Sequence, residues 1–342
     1  MNIWLAGVPG GGSMGDCKRE RELNKYWKLR LWSYYHLIIT NAIMSKTKNK
    51  VDLFLDSGAF SAWTQKTEIN IQEYIQFIKE NEGVINVYAN LDVIGDAKAT
   101  WRNQQIMERA GLNPIPCYHY GEDEKWLKLY IDRYEYIALG GMVKVGTEML
   151  MKWLDPLFSK YLIDEKGFPV CKIHGFGLTS LPLMLRYPWY SVDSTSWVVT
   201  GRMGSIYVPR YKVGKWIYDE QSWKVAVSNR SPNKKEAGQH IETIPPLQKK
   251  IILEYIHSKG YKLGVSEFKK VKCSYELKEN EKWAEKKEKN QTERLLEIIK
   301  EPGISNKYQL RDEMNIIYFL DLEKSLPEWP WAFKKNESKK LF

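Results

Sequence analysis

The segment Trp189–Gly204, WYSVDSTSWVVTGRMG, begins with an apolar and aromatic run and places a carboxylate at the end of that run. The run predicts a short buried strand that ends at Asp193. Further along, Arg202 stands between two glycines, which let a backbone pass close to a ligand. A carboxylate at the carboxyl end of a strand, followed by a guanidinium in a flexible loop, is typical of an α/β active site for an anionic or phosphorylated substrate. The alternative is a capping aspartate followed by an ordinary turn.

Other parts of the chain repeat this pattern of a short apolar run with polar or small residues at its end. These predicted strands are Asn2–Gly7, Val51–Phe60, Val84–Leu91, Pro114–Tyr120, Tyr136–Gly141 and Val170–Gly177. Segments with helical spacing separate them, namely Trp27–Ile43, Ile71–Glu80, Ala97–Gly111, Trp126–Tyr134 and Leu181–Tyr187. An eighth strand is expected at Ser205–Val208 or at Lys224–Val227. Alternating strands and helices predict a parallel sheet, and about eight strands favour a TIM-like (β/α)8 barrel over an open sheet.

The character of the chain changes after Ser228. Ser231–Gly238 is a turn-rich basic link, and Glu267–Lys300 is dense in both charge signs, a pattern typical of a solvated helix face. We therefore expect residues 1–260 to form the barrel and residues 261–342 to form a charged, mostly helical, basic C-terminal extension.

The composition narrows the class of protein. With 342 residues, 43% apolar and 27% charged, the chain is long enough for one large barrel with appendages or for two domains. No stretch reaches the length of a membrane span, and the four cysteines form no CxxC pair, so we expect a cytoplasmic protein without a cysteine-built zinc site. A net charge of +10 favours a polyanionic partner, and 14 tryptophans and 21 tyrosines offer flat surfaces on which bases can stack.

Three carboxylates, Asp56, Asp92 and Asp193, follow three of the predicted strands. In a barrel these strand ends meet on one face. Two carboxylates that flank a sugar carbon suit glycosyl transfer with retention, because one attacks C1′ and the other handles the proton of the departing group. Several aspartates can instead hold Mg²⁺, and the two interpretations stay open at this point.

Five short motifs carry a family resemblance. They are LDSGAF (55–60), NLDVIGD (90–96), ALGGMVKVG (138–146), HGFG (174–177) and VDSTSWVVTGRMG (192–204). In this order they resemble the motif series of the tRNA-guanine transglycosylases, over roughly residues 55–205. That superfamily has a (β/α)8 barrel and exchanges a guanine in nucleic acid for a 7-deazaguanine base.

The resemblance implies roles for particular residues. Asp193 would be the covalent nucleophile on C1′, Asp56 the general acid/base, and Asp92 the acceptor of hydrogen bonds from the purine-like ring. The remaining residues that it assigns to base or nucleotide binding are Ser57, Phe60, Tyr120, Gly140, Gly141, His174 and Arg202. Of these, Tyr120 stands where the family has glutamine, and His174 stands where it has an apolar stacking residue.

The zinc-binding CxCxxC…H group of the tRNA enzymes is absent from the sequence. The chain therefore looks most like the compact, often phage-encoded, deoxypurine-in-DNA transglycosylases, and we expect neither cofactor nor metal. The expected partners are DNA, with tRNA as the alternative, and a free 7-deazaguanine base such as preQ0 or a derivative; homodimerisation is left open. A catalytically silent barrel that binds nucleic acid is the alternative from another class. Trp197 is a candidate either for stacking beside a flipped nucleotide or for packing beneath its loop.

Overall fold

The computed structural model describes residues 1–7, 29–39, 52–230 and 238–333. The chain divides into two compact units, one of Met1–Thr195 with Leu322–Phe342 and the other of Ser196–Asp321. The boundary expected between residues 260 and 261 thus falls inside the second unit.

The first unit is built on eight parallel strands. In chain order they are β1 Asn2–Ala6, β2 Leu29–Ser33, β3 Asp52–Asp56, β4 Val87–Tyr88, β5 Cys117–His119, β6 Tyr136–Gly140, β7 Lys172–Gly175 and β8 Ser191–Ser194. They are hydrogen-bonded in the order β4-β3-β2-β1-β8-β7-β6-β5. The first strand in the sequence, β1, thus pairs with the last, β8, in the middle of this order. The predicted α/β class and the parallel sheet are confirmed.

The two end strands of this row also meet. Ala89, directly after β4, forms a parallel bridge with Ile115, just before β5. The Ile115 N–H donates to the carbonyl of Tyr88 at 2.9 Å, and the Asn90 N–H donates to the carbonyl of Ile115 at 3.0 Å. The sheet is therefore curled, in a form compatible with a TIM-like barrel.

Helices separate the strands of this unit. They are α1 Tyr34–Ile39, α2 Ala59–Thr64, α3 Ile71–Glu80, α4 Ala97–Arg109, α5 Glu124–Ile131, α6 Thr147–Leu157 and α7 Leu181–Arg186, with a π-helical turn at Phe158–Leu162. Side chains cap several of them: Asn70 accepts from the N–H of Gln72 at 2.8 Å, and Asp96 accepts from the N–H of Ala99 at 2.9 Å. Such caps satisfy backbone donors that the first helical turn leaves without partners.

Alternate residues of the strands form two cores. One cluster contains Trp4, Ala6, Leu31, Phe54, Ala89, Ile115, Cys117 and Ala138, which come from every second position of successive strands. The other packs Leu53 and Leu55 of β3 against Tyr74 and Ile78 of α3. Because side chains of a strand alternate between its two faces, the first cluster lies on one face of the sheet and the second lies between sheet and helices. Each fully buried leucine, isoleucine or phenylalanine side chain stabilises the folded state by about 1.5–3 kcal/mol.

Two predictions about the strands are wrong. Trp27–Ile43 was expected to be one helix, but Leu29–Ser33 is β2, paired with β1 and β3, and only Tyr34–Ile39 is helical. The strand that completes the eight of the sheet, beyond the seven predicted, is therefore β2. The segments expected to supply it, Ser205–Val208 and Lys224–Val227, contain strands that pair antiparallel with each other in the second unit.

The second unit is a mixed one. It contains α8 Ser196–Arg202, β9 Ser205–Val208, β10 Arg210–Lys212, β11 Lys215–Ile217, β12 Trp223–Ala226, α9 Pro246–Ser258, β13 Val265–Lys272, β14 Glu281–Trp283 and β15 Glu293–Glu301. A further helix, α10 Tyr308–Ser325, begins in this unit.

The prediction of a mostly helical C-terminal extension is wrong for its charged segment, Glu267–Lys300, which forms strands. Strands β13, β15 and β14 form a three-stranded antiparallel sheet, with Lys300 and Glu267 paired at 3.0 Å. Leu296 and Ile299 are its buried apolar side chains, and Glu297 of the same strand is also buried. The short apolar pairs Leu295-Leu296 and Ile298-Ile299 recur with helical spacing, and in runs this short periodicity does not separate a helix from a strand. Among the described helices, none is long and apolar enough to span a membrane.

Candidate active site

The three aspartates expected at strand ends lie together at the carboxyl edge of the parallel sheet. Asp56 is the last residue of β3, Asp193 lies in β8, and Asp92 follows β4. Burial, followed by the negative charges of Asp193 and of Asp92, raises the pKa of Asp56 from 3.8 to about 7. A carboxyl group with such a pKa can both give and take a proton at neutral pH, as a general acid/base must.

Packing at the turn after Asp56 requires a glycine at position 58. The Asp56 Oδ2 atom accepts a hydrogen bond from the N–H of Gly58 at 3.1 Å. Gly58 has a φ of +77°, and a Cβ there would lie 2.4 Å from Ser33 Oγ and 2.5 Å from Tyr35 Cβ. Since only glycine fits this turn, the Asp-Ser-Gly sequence fixes the position of the carboxylate at the end of β3.

The Asp193 side chain is held through one of its two oxygens. The residue is 6% exposed, and its Oδ1 accepts a hydrogen bond from the N–H of Gly177 at 2.6 Å. The same oxygen lies 3.4 Å from Nε2 of His174. Both contacts fall on Oδ1, so among the described residues Oδ2 is the oxygen left available to attack an electrophilic carbon.

A chain of buried polar groups continues from Asp193 into the sheet. His174 Nδ1 lies 2.7 Å from Ser191 Oγ, which lies 2.7 Å from the Tyr136 hydroxyl. Burial lowers the pKa of His174, so the imidazole is neutral at pH 7 and carries one ring proton. With that proton on Nε2, Tyr136 donates to Ser191, Ser191 donates to Nδ1, and Nε2–H faces the carboxylate. The other tautomer would put a lone pair against Asp193 Oδ1, so the first is the stable one.

The structure places His174 beneath Asp193 and not on an open wall of the site. Its side chain is fully buried, with the rings of Phe54 and Phe176 at centroid distances of 4.7 and 4.5 Å. A bound base would have to displace one of these aromatic side chains to reach it. The geometry therefore favours a role in holding Asp193 over the expected role in base binding.

Asp92 faces a second histidine, which the sequence analysis did not single out. Its Oδ2 lies 3.2 Å from Nε2 of His119, and Nδ1 of His119 lies 3.3 Å from Oε1 of Glu122. Burial opposes charge on this imidazole, but Cys117 and then Asp92 outweigh burial and raise the pKa of His119. The Asp92 Oδ1 atom is buried and has no hydrogen-bond partner among the described residues.

Strand alternation could have identified this histidine. Cys117 and His119 are two residues apart in β5, so their side chains lie on the same face, whereas Tyr120 lies just beyond the strand. The ring of Tyr120, which was expected in the site, packs edge-on against Trp153 of α6 at 5.1 Å. The strand end therefore offers His119 to the site more directly than Tyr120.

Two expected glycines allow the neighbouring strands to approach closely. A Cβ on Gly140 would lie 2.7 Å from Cys117 Sγ and 2.9 Å from His119 Cδ2. Gly141 has a φ of +73°, and a Cβ there would lie 3.0 Å from the backbone nitrogen of Tyr120. The Gly-Gly pair of ALGGMVKVG thus makes room for the side chains at the end of β5.

An aromatic pair is exposed directly after the Asp-Ser-Gly turn. Phe60 and Trp63 of α2 are 47% and 57% exposed, and their rings lie 5.9 Å apart. Ser57, by contrast, is buried, and its Oγ accepts from the N–H of Ala59 at 3.4 Å. Phe60 is therefore available to stack on a ligand, as expected, and Trp63 is a second candidate that the sequence analysis missed.

Two of the candidate residues, Trp197 and Arg202, belong to the second unit. Trp197 is fully buried, and the side chain of Asn315 donates to its carbonyl at 3.0 Å. Of its two interpretations, packing beneath the loop is the one that the structure supports. Arg202 is exposed at the end of α8, and its expected contact with a sugar-phosphate stays a prediction.

One group of side chains within the described ranges could hold a metal ion. Asp92, Cys117 and His119 each offer a ligand atom, and these atoms lie within 4.8 Å of one another. Asp56 and Asp193 do not belong to the group. A Mg²⁺ site built from the three aspartates, the alternative left open above, is therefore not favoured.

No family model, no curated protein and no solved structure matches this chain.

Proposed function

We propose that this chain is a base-exchange transglycosylase that replaces guanine in DNA with a 7-deazaguanine derivative, on a (β/α)8 barrel of the tRNA-guanine transglycosylase type. The observation that carries the proposal is the pairing of a carboxylate held by one oxygen, Asp193, with a second carboxyl group, Asp56, of pKa about 7. Retaining glycosyl transfer needs these two functions side by side. The motif resemblance supplies the substrate class.

In the first displacement, Oδ2 of Asp193 attacks C1′ of the nucleotide. The C1′–N9 bond breaks, and its electron pair leaves with the guanine. Asp56, in its protonated form, gives its proton to the departing base, so that guanine leaves as a neutral molecule. The product is a glycosyl ester on Asp193.

In the second displacement, the incoming 7-deazaguanine attacks C1′ of this ester through N9. Asp56, now a carboxylate, takes the N9 proton as the new bond forms, and Asp193 is released. Each displacement inverts C1′, so the two together retain its configuration. Asp56 ends protonated and is ready for the next cycle.

The polar groups around Asp92 suit recognition of the base. Its buried Oδ1 lacks a hydrogen-bond partner among the described residues, and an unpaired buried acceptor favours a ligand that brings an N–H group. A base without that group would leave the acceptor unsatisfied, which is how polar sites discriminate strongly. Phe60, half exposed beside the site residue Asp56, would cover the face of the ring.

The choice of DNA over tRNA rests on the sequence, which lacks the zinc-binding motif of the tRNA enzymes. Net positive charge strengthens binding to either polymer and does not separate them. In duplex DNA the target nucleotide must leave the stack before Asp193 can reach C1′, at a cost of a few kcal/mol.

The test is to incubate the protein with duplex DNA, or separately with tRNA, and a labelled 7-deazaguanine base such as preQ0, and then to digest the polymer to nucleosides. The wild type should place the label in a deoxynucleoside, and Asp193→Asn should not. Asp52→Asn, which changes an exposed aspartate at the other end of β3, is the matched control and should behave like the wild type.

The other outcomes each contradict a defined part of the proposal. Label in tRNA alone would refute DNA as the polymer. Loss of guanine without incorporation would indicate a hydrolase. A wild-type protein that forms no adduct with an oligonucleotide on a denaturing gel, and incorporates no label, would refute the reaction.

A further inference from the structure

The ends of β4 and β5 bring a carboxylate, a thiol and an imidazole to one point. The ligand atoms of Asp92, Cys117 and His119 lie within 4.8 Å of one another. The Asp92 Oδ2 to His119 Nε2 distance of 3.2 Å is close to the separation of two ligands on one tetrahedral ion. Oxygen, sulfur and nitrogen donors together are a set that zinc accepts and that magnesium does not.

A second carboxylate fixes the orientation of the histidine. Glu122 Oε1 lies 3.3 Å from His119 Nδ1, and Glu122 Oε2 accepts a hydrogen bond from the backbone N–H of His119 at 3.0 Å. With Nδ1 engaged by Glu122, Nε2 is the nitrogen that faces Asp92 and Cys117. A carboxylate behind a histidine is the usual outer partner of a histidine that binds a metal.

The residues around Asp92, Cys117 and His119 leave space for an ion and give it access from solvent. A Cβ on Gly140 would lie 2.7 Å from Cys117 Sγ and 3.2 Å from His119 Nε2, so glycine keeps this side of the cluster clear. Cys117 is buried, but the side chains of His119 and Asp92 are 17% and 11% exposed. An ion can therefore reach the cluster from solvent past these two side chains.

We propose that Asp92, Cys117 and His119 bind a single zinc ion. Three ligands from the described part of the chain leave one position of a tetrahedral ion for another group, as in catalytic zinc sites, whereas structural sites are closed by four protein ligands. The ion brings positive charge to Asp92, whose carboxylate, like that of Asp193, lies close enough to act on Asp56. This site departs from the sequence-based expectation of no metal, because its ligands come from two different strand ends and form no contiguous motif.

The site does not depend on the proposed reaction, and its test measures the metal alone. Purified protein is stripped with a chelator, reloaded with ZnCl₂ or CoCl₂ and freed of excess metal. Elemental analysis should find a single zinc ion per chain, and the cobalt form should show a thiolate-to-cobalt charge-transfer band. Cys117→Ser should abolish the band, whereas Cys171→Ser, which changes another buried free cysteine, should retain it. Glu122→Gln should weaken zinc binding by about 10-fold or more.

Circular dichroism of each variant establishes that it is folded before binding is compared. Substoichiometric zinc in the reloaded wild type would overturn the site, whatever the exchange assay shows. So would a charge-transfer band of equal strength in Cys117→Ser, because the metal would then be bound elsewhere. Loss of base exchange with zinc still bound would instead refute the proposed function and leave the metal site standing.

Discussion

Replacing Asp56 by asparagine should stabilise the folded protein at about pH 8 and change its stability little at about pH 4. Burial, and repulsion by Asp193 and Asp92, raise the pKa of this carboxyl group from 3.8 to about 7. Between these two values the folded state binds a proton that the unfolded state has released. The stability of the wild type therefore falls as the pH rises through this window, and the neutral amide of asparagine escapes that loss.

The size of the effect follows from the shift. A rise of about three pKa units corresponds to about 4 kcal/mol at about 1.4 kcal/mol per unit. Asp56 is only half-buried, and contact with water weakens the repulsion, so we expect about 2 kcal/mol. The asparagine oxygen can still accept the hydrogen bond from Gly58. For a unit of this size the gain raises Tm by roughly 5 °C.

The assay is thermal and urea unfolding of wild type, Asp56→Asn and Asp52→Asn over this pH range. The proteins are first treated with a chelator, so that no cation neutralises Asp92. The difference between Asp56→Asn and wild type should grow with pH, and Asp52→Asn should follow the wild type. An Asp56→Asn protein no more stable than the wild type at about pH 8 would refute the electrostatic argument, as would an equal gain in Asp52→Asn.

Three further predictions, made with four substitutions, test the site and its surroundings. His174→Phe should lower kcat and leave KM nearly unchanged, because the imidazole holds Asp193 and does not touch the base; a rise in KM alone would contradict this role. Phe60→Ala or Trp63→Ala should weaken oligonucleotide binding in fluorescence anisotropy by about 10-fold, since one stacked base contributes about 1–3 kcal/mol. Unchanged binding in both variants would exclude this aromatic pair as a contact. Trp197→Phe should lower the free energy of unfolding through a cavity and affect exchange on duplex and single-stranded DNA equally, and a loss confined to duplex would show that burial misled us.

The carboxylates of the candidate site could be predicted from the sequence for a simple physical reason. Apolar runs followed by Asp56, Asp92 and Asp193 mark strand ends, and parallel strands bring such ends to one edge. His119 was missed because it lies in a run, PIPCYHYGE, whose polar residues were not sorted by strand face. His174 was found, but burial beneath Asp193 is a property of packing that a motif does not reveal.

The missed elements have a different cause. Leu29–Ser33 continues without a break into the helix Tyr34–Ile39, so apolar residues of strand and helix merge into one run. In Glu293–Glu301 the charged residues alternate irregularly with apolar ones, and pairing with Val265–Lys272 decides the conformation. Tertiary pairing of this kind overrides local spacing.

The two carboxyl groups of the proposed double displacement differ in what surrounds them. Asp193 Oδ1 receives the N–H of Gly177 at 2.6 Å and lies 3.4 Å from Nε2 of His174, and a hydrogen bond from an N–H group stabilises negative charge. Asp56 receives the N–H of Gly58, but burial and two neighbouring carboxylates outweigh it. A carboxylate that accepts a backbone N–H through one oxygen, beside a carboxyl group that exchanges its proton near pH 7, would give the separate nucleophile and acid/base that covalent glycosyl transfer requires. The two groups differ because a backbone N–H and a histidine lie against one carboxylate, whereas burial and the charges of Asp193 and Asp92 act on the other.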